Sequence, residues 1–324
     1  MGKSDCATKA FLSKRNVFAD LVNFSFFGGK KVVAPDDLQE TNCNEVVSFC
    51  TTENGTAHRE RLRDLAMNVV MRQAGGTKYI VVGIENQRRT HLAMPARCML
   101  YDAMRHTENL RHMVETNKRR NAEREFLSGL RKEDRLPPVV TLVIYWGHGA
   151  WKGPRTLHDM IDFPKDSLKK LCADYRLNLI EPASMGDSDF KRFRTDLGAV
   201  LHYIKLQDDG GKWRQLSSGN KRCRILSREA AVALQAVTGA DFPIDEQEET
   251  IDMCKAVRQI KQWGYEEGRQ NGFEEGRQNG FAEGIQKTIS ILKKLQLDME
   301  QIQERLMEEY GLSATEAQKF LLNP

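Results

Sequence analysis

A glycine pair, Gly75-Gly76, stands between two stretches that both read as β-strand. One covers residues 61 to 73. The other covers residues 78 to 87 and opens on the β-rich run Tyr79-Ile80-Val81-Val82. Residues 61 to 73 also fit a helical period through Leu62, Leu65, Ala66, Val69 and Val70, but the glycine turn and the β-rich partner favour strand. A hairpin closing at the pair makes the numbers of opposite residues sum to a constant, here about 150 or 151. Asp64 with Glu85 gives 149, and Asp64 with Gln87 gives 151. The fold of this segment therefore gathers an aspartate, a glutamate and an amide. Glu85 and Gln87 share a face because strand side chains alternate. Two carboxylates in one polar cluster repel unless a cation or proton compensates. Oxygen-only donors suit Mg²⁺ or Mn²⁺. The expectation is a one- or two-metal site for phosphodiester hydrolysis. Taken alone, the same residues also fit a polar strand end paired with Arg61 or Arg63.

Around the hairpin the pattern is mixed. Residues 15 to 28 read as a helix ending at Gly28-Gly29, with Phe18, Leu21, Val22 and Phe26 as its apolar stripe and Asp20 and Asn23 off it. A turn at 34 to 37 follows, then a candidate strand at 46 to 51. Pro95 suits the first turn of a helix over 95 to 117. Residues 118 to 135 are strongly charged and read as solvent-facing, and Pro137-Pro138 breaks the chain. Val139 to Trp146 is a continuous apolar run, as in a central buried strand. The order α-β-β-β-α-β predicts an α/β (α+β) mixed sheet with helices packed on it. Beyond the loop at 147 to 154, a short strand at 175 to 181 precedes helices at 189 to 207, 228 to 238 and 248 to 262. This gives a core over 1–165 and a mostly helical extension over 166–262.

The tail carries an eight-residue repeat: GYEEGRQN, GFEEGRQN and GFAEGIQK, residues 264 to 287. Glycine recurs every fourth residue from Gly264 to Gly284. In one helix, six such glycines cost on the order of 5 kcal/mol relative to alanine. The segment 263–287 is therefore either a hinge or a helix that packs its small-residue stripe on a partner. Residues 288–324 suit a small helical hairpin around Gly311.

Charge is unevenly placed. Residues 264 to 324 hold 7 Lys+Arg and 11 Asp+Glu, leaving 42 and 34 for residues 1 to 263, a net +8. A basic body is the footprint expected of a nucleic-acid binder. Residues 212 to 228 contain six Lys/Arg, one Trp and no acid. Lys212, Arg214, Lys221 and Arg222 are candidate phosphate contacts there, with Trp213 able to stack on a base. Arg97 and Tyr101, on the helix after the acidic strand, and Arg88 could also touch phosphate. No apolar run approaches the roughly 20 residues of a membrane span, and the first 14 residues lack a signal-peptide core, so no membrane partner is expected. Seven scattered cysteines without a C-x-x-C pair argue against a disulfide framework or structural zinc and fit a cytoplasmic protein.

Several long strings also match a known family in order: FADLVNFSFFGGKKVVAPDDL (18–38), RDLAMN (63–68), GIENQ (83–87), MPARCMLYDAM (94–104), FLSGLRKEDRLPPVVTLVIYWG (126–147), WKGPRTLHDMI (151–161) and YRLNLIEP (175–182). Over roughly residues 15 to 262 the chain resembles the recombination-promoting nuclease (Rpn) family, also labelled PD-(D/E)XK nuclease family transposases. The resemblance implies a restriction-endonuclease-like fold and Mg²⁺-dependent DNA cleavage, with Mn²⁺ able to substitute. It makes Asp64 the motif aspartate and Glu85 the motif acid, with the Asn86 main-chain carbonyl completing the metal ligands. Gln87 stands where many related nucleases have lysine, and Asp20 matches an extra acid that some members use. Glutamine can orient water but supplies no charge, so the metal, Arg88 or Arg97 would carry more of that load. The resemblance further suggests recombination, mobile-element biology or defence. A homodimer, with the 264–287 repeat as a contact surface, suits double-strand cleavage. The rivals are a catalytically silent DNA-binding protein and an assembly protein acting through its tail, with RNA open as a substrate.

Overall fold

The computed structural model describes residues 3–41, 44–48, 58–62, 64–73, 76–120, 123–147 and 149–322. The chain forms two compact units, residues 1–258 and 259–324. The first is a mixed α/β unit.

Two helices, α1 (Lys3–Ser13) and α2 (Arg15–Phe27), open it. Residues Val17 to Asn23 of α2 are all buried, so this helix lies inside the unit rather than on it. It stops where Gly28 takes φ 61°, a left-handed position that costs glycine little, and the Gly29 N–H bonds back to the Asn23 carbonyl at 2.9 Å. The Asn23 side chain then clamps the returning chain: its Oδ1 accepts from the N–H groups of Val32 and Val33, and its Nδ2 donates to the Val33 carbonyl.

Five strands build the main sheet: β1 (Leu38–Glu40), β4 (Leu65–Gln73), β5 (Gly76–Gln87), β6 (Val139–Tyr145) and β7 (Asn178–Ile180), in the order β1-β4-β5-β6-β7. The pairs β1·β4 and β4·β5 are antiparallel, whereas β5·β6 and β6·β7 are parallel. Parallel neighbours need a crossover. Between β5 and β6 it contains the long helix α3 (Met94–Arg119), with Pro95 in its first turn. The centre of the sheet is closed on both faces: Val82, Ile84, Val143 and Ile144 are all fully buried.

Strands β2 (Asn44–Ser48) and β3 (His58–Leu62) form a separate antiparallel ribbon. This corrects the expected single strand over 61 to 73. Its first two residues pair with β2, Asp64 sits at a bend, and only Leu65 onward joins the main sheet. Arg63 and Gly75 lie outside the described residues, as do residues 49–51 of the expected strand at 46 to 51.

After β7 the unit is mostly helical: α4 (Asp187–Phe190), α5 (Leu197–Lys205), α6 (Gly210–Gly219), α7 (Lys221–Arg224) and α8 (Arg228–Thr238), with strands β8 (Ile225–Ser227) and β9 (Thr250–Asp252) paired antiparallel between them.

Residues 264–287 are helical throughout, as part of α9 (Met253–Lys294). A Cβ built on Gly264, Gly268, Gly272, Gly276 or Gly280 would meet nothing within 4 Å among the described residues. In the second unit α10 (Met299–Tyr310) and α11 (Ala314–Leu322) pack on the end of α9 through Ile285, Ile289, Ile302, Leu306, Ala317 and Leu321. An Asp298–Gln301 capping box starts α10, and Gly311 in the left-handed region ends it. No described helix is long and apolar enough to cross a membrane.

Candidate active site

The β4·β5 register runs Leu65↔Ile84, Ala66↔Gly83, Met67↔Val82, a constant sum of 149. One more step of the same sum would reach Asp64 and Glu85, but the pairing ends at Leu65 and Asp64 lies at the bend. The bond from the Asn86 N–H to Asp64 Oδ2, at 2.8 Å, fixes that corner. Asp64 thus meets the end of β5 through the Asn86 main chain, next to Glu85 in sequence.

The two acids live in different surroundings. Asp64 lines an open cleft of about 410 Å³, together with Asn86, Gln87, Arg88, Arg89 and Arg97. Burial pushes the Asp64 carboxyl above the usual aspartate range. The Asn86 N–H bond and the charges of Arg97 and Lys9 offset this in part, while Asp5 adds to it. Glu85 is fully buried. Arg97 Nη2 lies 3.2 Å from Glu85 Oε2, and the Arg97 side chain is 29% exposed, so it reaches from the buried acid to the cleft. Its Nε donates to the Tyr101 hydroxyl at 2.9 Å, and its guanidinium lies 5.5 Å from the Tyr101 ring centre. Burial alone would lower the Arg97 pKa, but the Glu85 charge and the Tyr101 bond overcome it and hold it above the usual arginine value.

Asn86 faces the other way. Its Oδ1 accepts from Trp146 Nε1 at 3.0 Å, and the Gln87 carbonyl accepts from the Trp146 N–H at 2.8 Å. Trp146, at the end of β6, therefore pins the acid-bearing end of β5 and fixes where Glu85 and Gln87 stand. The following loop packs against the cleft rim: a Cβ on Gly147 would sit 2.5 Å from the Arg88 carbonyl, and one on Gly153 would sit 2.6 Å from Thr90 Cγ2.

Asp20 stands apart from this group. Both of its oxygens are used 174 residues away: they accept from the Arg194 N–H (3.0 and 2.8 Å), the Thr195 N–H (2.8 Å) and the Thr195 hydroxyl (2.7 Å). It ties α2 to the turn that starts α5. Asp5, on α1, lines the cleft instead. Nothing local in the sequence marks Asp5.

Three further expectations change. Tyr101 is 1% exposed and holds Arg97, so it is not placed to meet a phosphate itself. Trp213 is 5% exposed, its Nε1 donates to the Tyr203 carbonyl at 2.9 Å, and its ring packs edge-on against Tyr203; it is core, not a stacking platform. Arg88 lines the cleft, yet its Nη2 donates to the Val237 carbonyl at 3.1 Å. Lys212, Arg214, Lys221 and Arg222 are exposed. Of these, Lys212 is ion-paired with Asp209 at 3.3 Å and Arg222 donates to the Phe193 carbonyl at 3.1 Å.

Among the described residues no three His, Cys, Asp or Glu side chains converge as a metal cluster. Asp64 and Asn86 line the water-accessible cleft, and Glu85, fully buried and ion-paired with Arg97, adjoins Asn86 in the chain. That set fits Mg²⁺, which typically takes one or two carboxylates and keeps several waters.

A family model described as putative transposase, YhgA-like, matches residues 55–221. Neither the curated proteins nor the solved structures give a match.

Proposed function

Because this chain belongs to the YhgA-like family of putative transposases, the family of recombination-promoting nucleases that its strings resemble, we propose that it is a metal-dependent DNA endonuclease with a restriction-endonuclease-like core. The observation that carries the reading is the bond from the Asn86 N–H, next to Glu85, to Asp64 at a cleft edged by Arg88, Arg89 and Arg97.

Asp64, Glu85 and the Asn86 carbonyl would hold Mg²⁺, or Mn²⁺ in its place. A bound ion of this kind supplies Lewis acidity toward the phosphate and makes its water a better nucleophile. The remaining work falls to the chain. Gln87, on the same strand face as Glu85, orients the attacking water through its amide. Arg97 supplies the positive charge that a glutamine in this position lacks, held in place by Tyr101. The rim arginines draw in the DNA backbone, so binding should weaken steeply with salt. Double-strand cleavage calls for two such sites, and a homodimer through 264–287 supplies them. The glycines at 264, 268, 272, 276 and 280 support that arrangement, since nothing among the described residues packs on them to offset their helix cost.

The test is incubation of supercoiled plasmid with purified protein and Mg²⁺. Nicking or linearisation that EDTA abolishes is expected. Plasmid retained in a gel but never cut would instead make the protein a silent DNA binder. Neither cutting nor retention would leave the tail as the functional part.

A further inference from the structure

The Glu85 carboxylate sits where a bare anion is strongly disfavoured. Both of its oxygens are buried, and on the sheet its neighbour in β6 is Val143, itself fully buried. A carboxylate in such a place needs a counter-charge. Arg97 supplies it, with Nη2 at 3.2 Å from Glu85 Oε2.

Arg97 is not sealed in with its partner. Its side chain is 29% exposed and lines the same cleft as Asp64, Asn86 and Gln87. It therefore stands between the cleft and the buried acid. Its Nε is held separately, by the Tyr101 hydroxyl at 2.9 Å, with the Tyr101 ring centre 5.5 Å from the guanidinium. The guanidinium thus has two independent attachments, and loss of the one to Glu85 leaves the one to Tyr101.

A small dication reaches a carboxylate only by direct contact, at about 2.0–2.1 Å from oxygen. A guanidinium already touching the same carboxylate would then lie within a few Å of the ion. Like charges at that range, in a poorly hydrated site, repel strongly. Either cation satisfies the acid, and the two together do not.

We propose that Arg97 and a divalent cation are alternatives at Glu85, so that entry of the ion frees the guanidinium to turn into the cleft and meet phosphate. This rests on reading Asp64 and Glu85 as metal ligands. It makes Arg97 a brake on metal binding as well as a source of charge for the reaction, and it sets an order, the ion first and the arginine second. By reciprocity, whatever draws Arg97 off Glu85 tightens the hold on the ion.

The test is Mn²⁺ binding without DNA, read from the free-ion electron paramagnetic resonance signal at pH 7 and at a temperature where every variant is folded. Arg97→Met should bind Mn²⁺ at least about ten-fold more tightly than wild type. Glu85→Gln and Glu85→Gln/Arg97→Met should bind alike, and more weakly than wild type. Mn²⁺ should also raise the melting temperature of Arg97→Met by more than that of wild type, because the ion replaces the missing counter-charge. Should Arg97→Met not fold, Arg97→Gln keeps a donor for the carboxylate without the charge and carries the same comparison. Equal or weaker binding in the Arg97 variants would overturn the competition. So would an equal gain on the Glu85→Gln background, which would reduce Arg97 to a general positive field in the cleft. Wild type that still cuts plasmid in Mg²⁺ would leave the nuclease reading standing in both cases. Wild type that neither binds Mn²⁺ nor cuts would overturn both.

Discussion

Replacing Arg97 by methionine removes the counter-charge of a fully buried glutamate while keeping most of the apolar stem. Breaking a buried ion pair from one side costs about 3–5 kcal/mol. Glu85 meets the condition of burial at 0% exposure, but Arg97 is 29% exposed at a water-filled cleft, so solvent recovers part of the loss. A value just below that range, about 2–3 kcal/mol, is the expectation. For a unit of this size each kcal/mol moves Tm by roughly 2–4 °C, which gives a fall of about 4–12 °C for Arg97→Met at neutral pH. The second half of the prediction is the double variant Glu85→Gln/Arg97→Met. Once the buried charge is also removed, most of the loss should return, because a neutral amide does not require the guanidinium. Thermal unfolding followed by circular dichroism measures all three proteins. Arg97→Met melting within about 2 °C of wild type, or a double variant melting as low as the single one, would refute the account of why Glu85 tolerates its burial. Cleavage should be lost in Arg97→Met even at temperatures where it is fully folded.

Asp20→Ala should lower stability by about 2–4 kcal/mol, since three donors from residues 194 and 195 lose their acceptor; cleavage measured well below the melting point should persist, and its selective loss would return Asp20 to the chemistry. Burial raises the Asp64 carboxyl pKa, so the folded state holds this proton more tightly than the unfolded chain does. The resulting cost is full above the folded pKa and is relieved as pH falls through it toward the ordinary 3.8. Asp64→Asn should therefore melt higher than wild type at pH 7, with the gap closing in acid; a gap that stays constant or widens in acid would contradict the assignment. Alanine at Gly268, Gly272 and Gly276 together improves intrinsic helix propensity by about 2–3 kcal/mol, yet should dissociate the proposed dimer in sedimentation velocity. A dimer that survives with a higher melting temperature would show the stripe to be free.

Much of the sheet was legible because its signals are local. The β-rich run at 79 to 82 and the glycine pair placed the hairpin, and the apolar run Val139 to Trp146 marked a central strand, observed over Val139–Tyr145. The expected pairing sum of 150 or 151 is 149 in the structure, where the register ends at Leu65 and Ile84, one step short of Asp64 and Glu85. What escaped depends on partners far away in sequence. The bend at Asp64 comes from Leu62 pairing with Asn44, and nothing in residues 61 to 73 announces it. Asp20 read as an acid off an apolar stripe; its role appears only when residues 194 and 195 arrive. Trp213 sat in a run of cations, but on α6 it shares its inner face with Ser217, one helical turn on, and the surrounding charges point outward. Asp5 joins the cleft through the packing of α1 beside β5, a tertiary contact without a sequence mark.

The central claim is that Asp64 and Glu85 together make a metal-dependent cutting site. The most direct measurement is cleavage of supercoiled plasmid in Mg²⁺ by wild type, Asp64→Asn and Glu85→Gln at matched concentration, each shown to be folded by its melting curve. The account predicts nicking by wild type that EDTA stops, and a loss of at least about a hundred-fold in each variant. Cleavage at the wild-type rate in either folded variant, or cleavage indifferent to EDTA, would contradict it.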